Sequence, residues 1–252
     1  MDLQNLLSIA REASSKASEA IMEIYESGDF SIDAKADNSP LTKADKAGHE
    51  VIVSFLEETG IPILSEEGSH LPYSERKNWE YLWIVDPLDG TKEFIKKNGE
   101  FTVNIALVKN GSPILGVVEA PMLKKQFYGI VGKGAWVESP DGTTTLEAIT
   151  PLDNSVSGLK VVASCSHLNQ ETKDFLSELN EPEIVSMGSS LKFMMIAEGK
   201  ADIYPRYAPT MEWDTAASQA IINALGGNVV DSNKQSLIYN KEHLLNPFFK
   251  VF

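Results

Sequence analysis

The sequence is poor in cysteine, in long apolar runs and in basic residues. Cys165 is the only cysteine among 252 residues, which excludes an intrachain disulfide and agrees with a reducing compartment. No stretch approaches the roughly 20 apolar residues that span a bilayer, and the N-terminus lacks the pattern of a secretory signal. We therefore expect a cytoplasmic protein without a transmembrane segment.

Acidic residues outnumber basic ones, 36 against 22, and the formal net charge is −14. This balance argues against binding a nucleic-acid polymer, because such binding releases counterions through clustered Lys and Arg. A small anionic ligand would need metal ions or a few basic side chains placed around it. The net charge thus argues against a nucleic-acid polymer as partner, and it allows a small anionic ligand only where cations surround it.

The spacing of apolar residues changes between the two halves of the chain. In residues 1–154, helical spacing over 2–26 and from Thr42 to Gly60 predicts two helices packed on an antiparallel meander of strands. In residues 155–252, short strands and helices alternate, which indicates an α/β layer. We therefore predict an α+β / α/β protein whose halves, 1–154 and 155–252, pack tightly as one unit.

Two carboxylates follow the strand predicted over residues 81–85. The motif reads Asp86-Pro87-Leu88-Asp89-Gly90-Thr91. We expect Pro87 to end the strand because it lacks an N–H donor, and Gly90 to permit a tight path out of the sheet. Two fixed aspartates beside backbone N–H groups suit a hard divalent cation that carries a phosphate. A chance Asp-Pro turn is the simpler alternative for this motif alone.

Three further acidic residues stand at element ends. Glu66 follows a strand predicted over 61–64, and Asp214 lies at the predicted start of a helix. Each has an ordinary alternative role, an acidic turn for Glu66 and an N-cap for Asp214. Asp45 likewise fits a capping box with Thr42. Strand ends and helix starts present side chains to clefts in α/β layers, so the acids together indicate one site.

The segments that carry these acids resemble the magnesium-dependent, lithium-sensitive phosphatases of the inositol monophosphatase superfamily. The matching segments, in the order of that superfamily, are Ser65-Glu66-Glu67, Trp83-Ile84-Val85-Asp86-Pro87-Leu88-Asp89-Gly90-Thr91 and Trp213-Asp214-Thr215-Ala216-Ala217. The resemblance implies a layered α-β-α-β-α sandwich, hydrolysis of a phosphate monoester and inhibition by Li⁺.

The resemblance also implies two to three Mg²⁺ ions. Glu66 and Asp86 would bind the first, with the Leu88 carbonyl. Asp86, Asp89 and Asp214 would bind the second, and Glu66 with water the third. The chemistry of the residues agrees with this set, since clustered carboxylates repel one another and Mg²⁺ among oxygen ligands relieves the repulsion.

The same resemblance implies the catalytic groups. Thr91 and Asp45 match the pair that orients the attacking water, and Glu66 joins them as a catalytic residue through its metal-bound water. Phosphate oxygens would meet the backbone N–H groups of Gly90 and Thr91.

Two segments of the second half, 188–193 and 197–206, resemble the 3′(2′),5′-bisphosphate nucleotidases of the CysQ type. By that resemblance His167, the pair Ser189 and Lys192, and Arg206 hold adenosine 3′,5′-bisphosphate, and Asp214 also lies against the substrate. One phosphate would sit on the metals and be cleaved. The other would need a basic anchor without metal, for which a lysine and an arginine are suitable.

The function implied is hydrolysis of the 3′-phosphate of adenosine 3′,5′-bisphosphate to AMP and phosphate, linked to sulfate assimilation, with the sulfated nucleotide as a second substrate. The partner would be this small nucleotide, and the protein a monomer or weak homodimer; peripheral contact with the inner face of the cytoplasmic membrane is left open. Two alternatives also stay open: an inositol monophosphatase or sugar phosphatase with the same metals, and a metal-dependent sensor without activity. Haloacid-dehalogenase chemistry is excluded because its two aspartates are two positions apart, not three.

Overall fold

The chain contains both helices and strands, with a run of strands over residues 102–162 between two α-helices. The computed structural model describes residues 1–31, 33–34, 40–69, 71–163 and 168–252. Its helices are α1 Leu3–Ser27, α2 Lys43–Leu56, α3 Tyr73–Arg76, α4 Thr91–Ile95, α5 Gln170–Ser177, α6 Leu191–Ala197 and α7 Glu212–Ala224. Its strands are β1 Asp33–Ala34, β2 Pro40–Leu41, β3 Ile63–Ser65, β4 Tyr81–Asp89, β5 Thr102–Lys109, β6 Ser112–Ala120, β7 Lys125–Ile130, β8 Gly134–Ser139, β9 Gly142–Thr145, β10 Lys160–Val162, β11 Glu183–Val185, β12 Tyr204–Arg206, β13 Val229–Asp231 and β14 Phe249–Val251.

The main sheet has seven strands in the order β3-β4-β5-β6-β7-β8-β9. Strand β3 runs parallel to β4, and every later pair is antiparallel. Asn110-Gly111 forms the turn that joins β5 to β6. The antiparallel meander is thus confirmed, with one parallel strand at its edge.

Helices cover both faces of this sheet. Neighbouring residues of a strand point to opposite sides, so each strand packs against helices on both faces. Trp83 and Val85 of β4 pack in the cluster that contains α1 and α2 residues, whereas Leu82 and Ile84 pack in the cluster of α6 and α7. The second cluster continues into the three-stranded sheet β12-β14-β13. Helix α5 contributes Phe175 to a third cluster, against β10. The layer order α-β-α-β-α is therefore confirmed.

The apolar cluster between the main sheet and α7 crosses the boundary predicted at 154–155. It contains Leu82 and Ala106 from the first half and Phe193 and Ile221 from the second. Folding either half alone would expose this cluster to water. Within the described parts of the chain, no helix combines the length and the apolar character that crossing a bilayer requires.

Two prolines lie inside strands, and one of them, Pro87, was predicted to end its strand. Strand β4 continues through Pro87 to Asp89, with a register shift between Asp86 and Asp89. Strand β12 runs through Pro205, which pairs with Lys250. Proline is tolerated at a bulge and at a sheet edge, because there its missing donor breaks no ladder hydrogen bond.

Candidate metal centre

A β-bulge at the end of β4 brings Asp86 and Asp89 to the same face of the sheet. Asp86 lies opposite Asn104 and Asp89 opposite Thr102, so three steps along β4 match two along β5. In a regular strand, positions three apart would point to opposite faces. The bulge at Pro87 and Leu88 adds one residue to β4 and so shifts the alternation of side chains by one position. Both carboxylates therefore point to the face that packs against α7.

The third carboxylate comes from the start of α7. Asp214 is the third residue of this helix, and its Oδ2 accepts a hydrogen bond from the N–H of Met211 at 2.8 Å. The alternative role of Asp214 as the N-cap residue does not hold, since Met211 occupies that position. Asp86, Asp89 and Asp214 each offer an oxygen, and these atoms all lie within 4.8 Å of one another.

Burial and mutual repulsion make this cluster costly without a cation. Burial raises the pKa of Asp86 well above its usual range, and the nearby charges of Glu66, Asp89 and Asp214 raise it further. Burial, and then the charge of Asp89, raises the pKa of Asp214 to about 8, although the Met211 N–H acts against this shift. The donors are all oxygens, so the set fits a hard divalent cation such as Mg²⁺, which would relieve the repulsion.

Glu66 joins the cluster from the end of β3. Its backbone N–H donates to the Val85 carbonyl at 3.1 Å, which ties the turn after β3 to β4. A side-chain hydrogen bond between Glu66 and Asp86 also contributes to the raised pKa of Asp86. The structure therefore places all four acids predicted as metal ligands in one neighbourhood. The Leu88 carbonyl lies beside them, where it accepts from Thr91 Oγ1 at 3.3 Å.

Asp45 performs two tasks with its two oxygens. Oδ2 accepts from both the backbone N–H and the hydroxyl of Thr42, each at 2.7 Å, and closes the predicted capping box of α2. Oδ1 accepts from the Thr91 hydroxyl at 3.2 Å. Asp45 is buried, so its cap and its contact with Thr91 lie out of water. Capping therefore does not compete with holding Thr91.

Gly90 lets the loop that carries Ser189 approach the acid cluster. Its φ is 95°, and a Cβ there would lie 3.0 Å from the Glu100 carbonyl oxygen and 3.2 Å from Ser189 Cβ. A side chain would therefore be strained and would also push the two loops apart.

The basic residues predicted to hold a second phosphate lie near each other. Lys192 Nζ donates to the Ser189 carbonyl at 3.2 Å, and burial followed by the charge of Arg206 lowers its pKa, against the opposing charge of Asp89. Among the described residues, Ser189 Oγ and Arg206 Nε are buried without a hydrogen-bond partner. Buried polar atoms normally have partners, so these two are suited to a ligand. His167 and the neighbouring Cys165 lie outside the described residues.

Three polar residues of the site were not found from the sequence. Thr102 and Asn104 point from β5 toward the aspartates, and Ser190 lies between Asp89 and the backbone of Asp214. One signal was present: Asn104 interrupts an otherwise apolar strand. Ser190 carried no comparable signal, since serine before a helix is ordinary.

The pattern of the inositol monophosphatase family matches residues 2–247. The 3′(2′),5′-bisphosphate nucleotidase CysQ of Salmonella typhimurium is 44% identical over 256 residues, covering 99% of this chain and 98% of that protein. The protein of the same name from Escherichia coli K12 is 46% identical over 242 residues, covering 93% and 94%. The crystal structure of CysQ from Bacteroides thetaiotaomicron superposes with a TM-score of 0.86 at 46% identity, covering 98% of this chain and 97% of the other.

Proposed function

The chain belongs to the inositol monophosphatase family, and on that basis we propose that it is a Mg²⁺-dependent 3′(2′),5′-bisphosphate nucleotidase. It hydrolyses the 3′-phosphate of adenosine 3′,5′-bisphosphate, giving AMP and inorganic phosphate. One observation carries the proposal: carboxylates from β4 and α7, far apart in the chain, converge within 4.8 Å in a chain whose relatives are named as these nucleotidases. The sulfated nucleotide is a second proposed substrate.

The metal ligands we propose are Glu66, Asp86, the Leu88 carbonyl, Asp89 and Asp214, holding two to three ions. When bound, Mg²⁺ would supply acidity to a coordinated water and neutralise charge on the phosphate and its leaving oxygen. The raised pKa values of Asp86 and Asp214 support this assignment, since burial and then mutual repulsion disfavour the charged carboxylates and a bound cation would favour them.

Thr91 and Asp45 provide the path for a proton. The Thr91 hydroxyl donates to Asp45 Oδ1 at 3.2 Å, so it can accept a proton from the attacking water while passing its own to Asp45. Glu66, which lies next to Asp86, is the third member of this catalytic group. Gly90 and Thr91 lie at the start of α4, where backbone N–H groups have no acceptor within the helix and are available to phosphate oxygens.

The second phosphate of the nucleotide binds, in our proposal, to Ser189, Lys192 and Arg206. Arg206 donates to the Pro209 carbonyl at 3.2 Å through one terminal nitrogen, which fixes the guanidinium while leaving Nε free of partners within the described chain. Burial lowers the pKa of Lys192, and repulsion by the charge of Arg206 lowers it further. An anion between them would relieve that repulsion. His167 is proposed as a further substrate contact.

The proposal is tested by measuring phosphate release from adenosine 3′,5′-bisphosphate, inositol 1-phosphate and fructose 1,6-bisphosphate with Mg²⁺. We expect the nucleotide to give the highest kcat/KM, with AMP identified as the product by chromatography, and Li⁺ to inhibit. A higher kcat/KM for inositol phosphate would instead favour the alternative activity of the same metal site. Absence of release from all three would favour the sensor.

Replacing Lys192 separates the substrate classes. Lys192→Ala should raise KM for adenosine 3′,5′-bisphosphate by about 10- to 100-fold, because a charge-assisted contact worth roughly 1.5–3 kcal/mol is lost. It should change KM for inositol 1-phosphate little. Lys200→Ala is the matched control, since Lys200 is exposed and pairs with Glu198. An equal effect on both substrates would refute the assignment of Lys192.

We further propose that the enzyme works in the cytoplasm as a monomer or weak homodimer, with peripheral contact at the inner membrane face left open. Light scattering of the purified chain measures its oligomeric state, and sedimentation with vesicles measures its contact with membranes.

A further inference from the structure

A chain of buried hydrogen bonds leads from β5 to Asp89. Thr102 Oγ1 donates to Asn104 Oδ1 at 3.1 Å, Asn104 Nδ2 donates to Ser190 Oγ at 2.9 Å, and Ser190 Oγ donates to Asp89 Oδ2 at 2.7 Å. Thr102, Asn104 and Ser190 are 0%, 1% and 1% exposed. Polar chains out of water polarise one another, and an unmatched member would be costly.

We propose that Thr102, Asn104 and Ser190 form a relay that positions Asp89 and thereby sets the affinity of the site for its divalent cation. The inference rests on the proposed function, because it assumes that Asp89 is a metal ligand. It adds three positioning residues to that site. Groups that hold a ligand side chain in place commonly change metal affinity by 10- to 100-fold.

Ser190 is the central member because it meets both elements that supply carboxylates. Its single proton has two acceptors, Asp89 Oδ2 at 2.7 Å and the Asp214 carbonyl at 3.1 Å. The shorter contact, to a charged oxygen, is the stronger one. Ser190 precedes α6, but its side chain caps no N–H of that helix. Its hydroxyl therefore serves the aspartates and not the helix.

Asn104 and Thr102 fix the direction of donation. Because the Asn104 carbonyl oxygen accepts from Thr102, its NH₂ group faces Ser190 and, at 3.5 Å, Asp89 Oδ2. Along the same face of β5 the next residues are apolar, Ala106 and Val108, both packed in the core. Packing alone would be satisfied by an apolar residue at 104, since a buried amide contributes only when its partners are present.

The relay is tested by titrating the metal-free full chain with Mn²⁺ and measuring free Mn²⁺ by electron paramagnetic resonance. Ser190→Ala and Asn104→Leu should each weaken binding by about 10- to 100-fold. The double variant should lose no more than the stronger single variant, because both interrupt one chain. Ser218→Ala is the matched control, a buried serine on α7 whose Oγ has no partner among the described residues.

Thr102 supplies a pair of variants that preserve packing. Thr102→Val is isosteric and should weaken Mn²⁺ binding by roughly three- to tenfold, whereas Thr102→Ser keeps the hydroxyl and should bind as the wild type does. Phosphatase activity should recover at high Mg²⁺ in Ser190→Ala, with the activation curve shifted and kcat at saturation largely restored. A structural defect would not give that separation.

Wild-type affinity in both Ser190→Ala and Thr102→Val would overturn the relay. Hydrolysis by the wild-type protein is measured in parallel, and it decides the proposed function separately. If the wild-type protein hydrolyses the nucleotide but the variants bind Mn²⁺ with wild-type affinity, the relay is refuted and the proposed function stands. If the variants bind Mn²⁺ more weakly but the wild-type protein hydrolyses nothing, the relay stands and the nucleotidase proposal is refuted.

Discussion

Asp214 shows how one side chain can stabilise a helix and destabilise its surroundings. It accepts the Met211 N–H at 2.8 Å, while burial and Asp89 raise its pKa to about 8. Asp214→Asn keeps an acceptor for Met211 and removes a charge. We expect phosphatase activity to fall by roughly 10³-fold or more, because several kcal/mol of metal-dependent charge stabilisation is lost. The unfolding temperature of the metal-free protein should rise.

Activity assays and thermal unfolding without metal check both parts, with exposed Asp174→Asn as the control. Turnover near the wild-type rate would show that Asp214 is not a metal ligand.

Thr91 can be tested without disturbing the cap of α2. Thr91→Val removes the hydroxyl that donates to Asp45 Oδ1 at 3.2 Å, while Thr42 keeps both hydrogen bonds to Oδ2. We expect kcat to fall by about 10²- to 10⁴-fold, since a positioned proton path is lost, with the unfolding temperature nearly unchanged. Thr91→Ser should retain most of the activity. A loss in Thr91→Ser as large as in Thr91→Val would argue for the methyl group and against the proton path.

At this scale the sequence was informative where residue type alone limits the role. Four acids following predicted strands or starting a helix were found because only oxygen ligands suit Mg²⁺. Ser190 and Thr102 could not be found, since their importance depends on which loop faces which strand. Asn104 is an intermediate case, because a buried amide in an apolar strand requires a hydrogen-bond partner, but the sequence does not say which residue it is.

Among the elements, α7 determines the geometry of the site because it carries Asp214 across the main sheet. It approaches β6 so closely that a Cβ at Gly116 would lie 2.1 Å from the Ala217 carbonyl oxygen. Gly116→Ala should therefore push the first turns of α7 away from the sheet. We expect a loss of about 3 kcal/mol, or roughly 6–12 °C in unfolding temperature, together with weaker Mn²⁺ binding.

Circular dichroism and Mn²⁺ titration measure these effects, with exposed Ser112→Ala on the same strand as the control. Unchanged Mn²⁺ affinity in a destabilised Gly116→Ala protein would mean that α7 does not need this contact to place Asp214.

Element types were predictable from periodicity, whereas their ends were not. The prediction that β4 ends at Pro87 failed because a bulge accommodates the missing donor, and the bulge depends on the partner strand β5. The strands β9 and β14 were missed. Strand β9 is exposed throughout, so it has no apolar alternation to detect, and β14 follows a long irregular segment.

At the scale of the whole molecule, a net charge of −14 must be compatible with the doubly phosphorylated substrate that we propose. The structure separates charge locally: the acid cluster of Asp86, Asp89 and Asp214 lies at one place, and Lys192 with Arg206 lies near it. The negative net charge predicted that metal ions or basic side chains must surround an anionic ligand. Which residues come together to do so depends on the fold. Long-range attraction cannot bring the substrate in, so short-range contacts must hold it.

A carboxyl group away from the site contributes to the pH dependence of the whole protein's stability. Glu119 of β6 is buried under α1, where Gln126 donates to it at 2.8 Å and Ser15 at 3.4 Å. The neighbouring charged groups are Glu138 and Arg11, which pair with each other. Burial raises the pKa of Glu119 from 4.5 to about 7. The folded protein therefore holds this proton more tightly than the unfolded chain does.

This difference predicts how stability changes with pH. Between pH 4.5 and about 7, the folded protein binds more protons at Glu119 than the unfolded chain, so this residue makes stability fall as pH rises. Glu119→Gln removes the effect. Its gain in unfolding free energy should be small at pH 4.5, grow through this window, and level off above it at on the order of 3 kcal/mol. Urea unfolding at pH 4.5, 6 and 8 measures the gain, with exposed Glu147→Gln as the control. A gain that is the same at all three pH values would come from packing, and would show that the buried proton of Glu119 is not what links stability to pH.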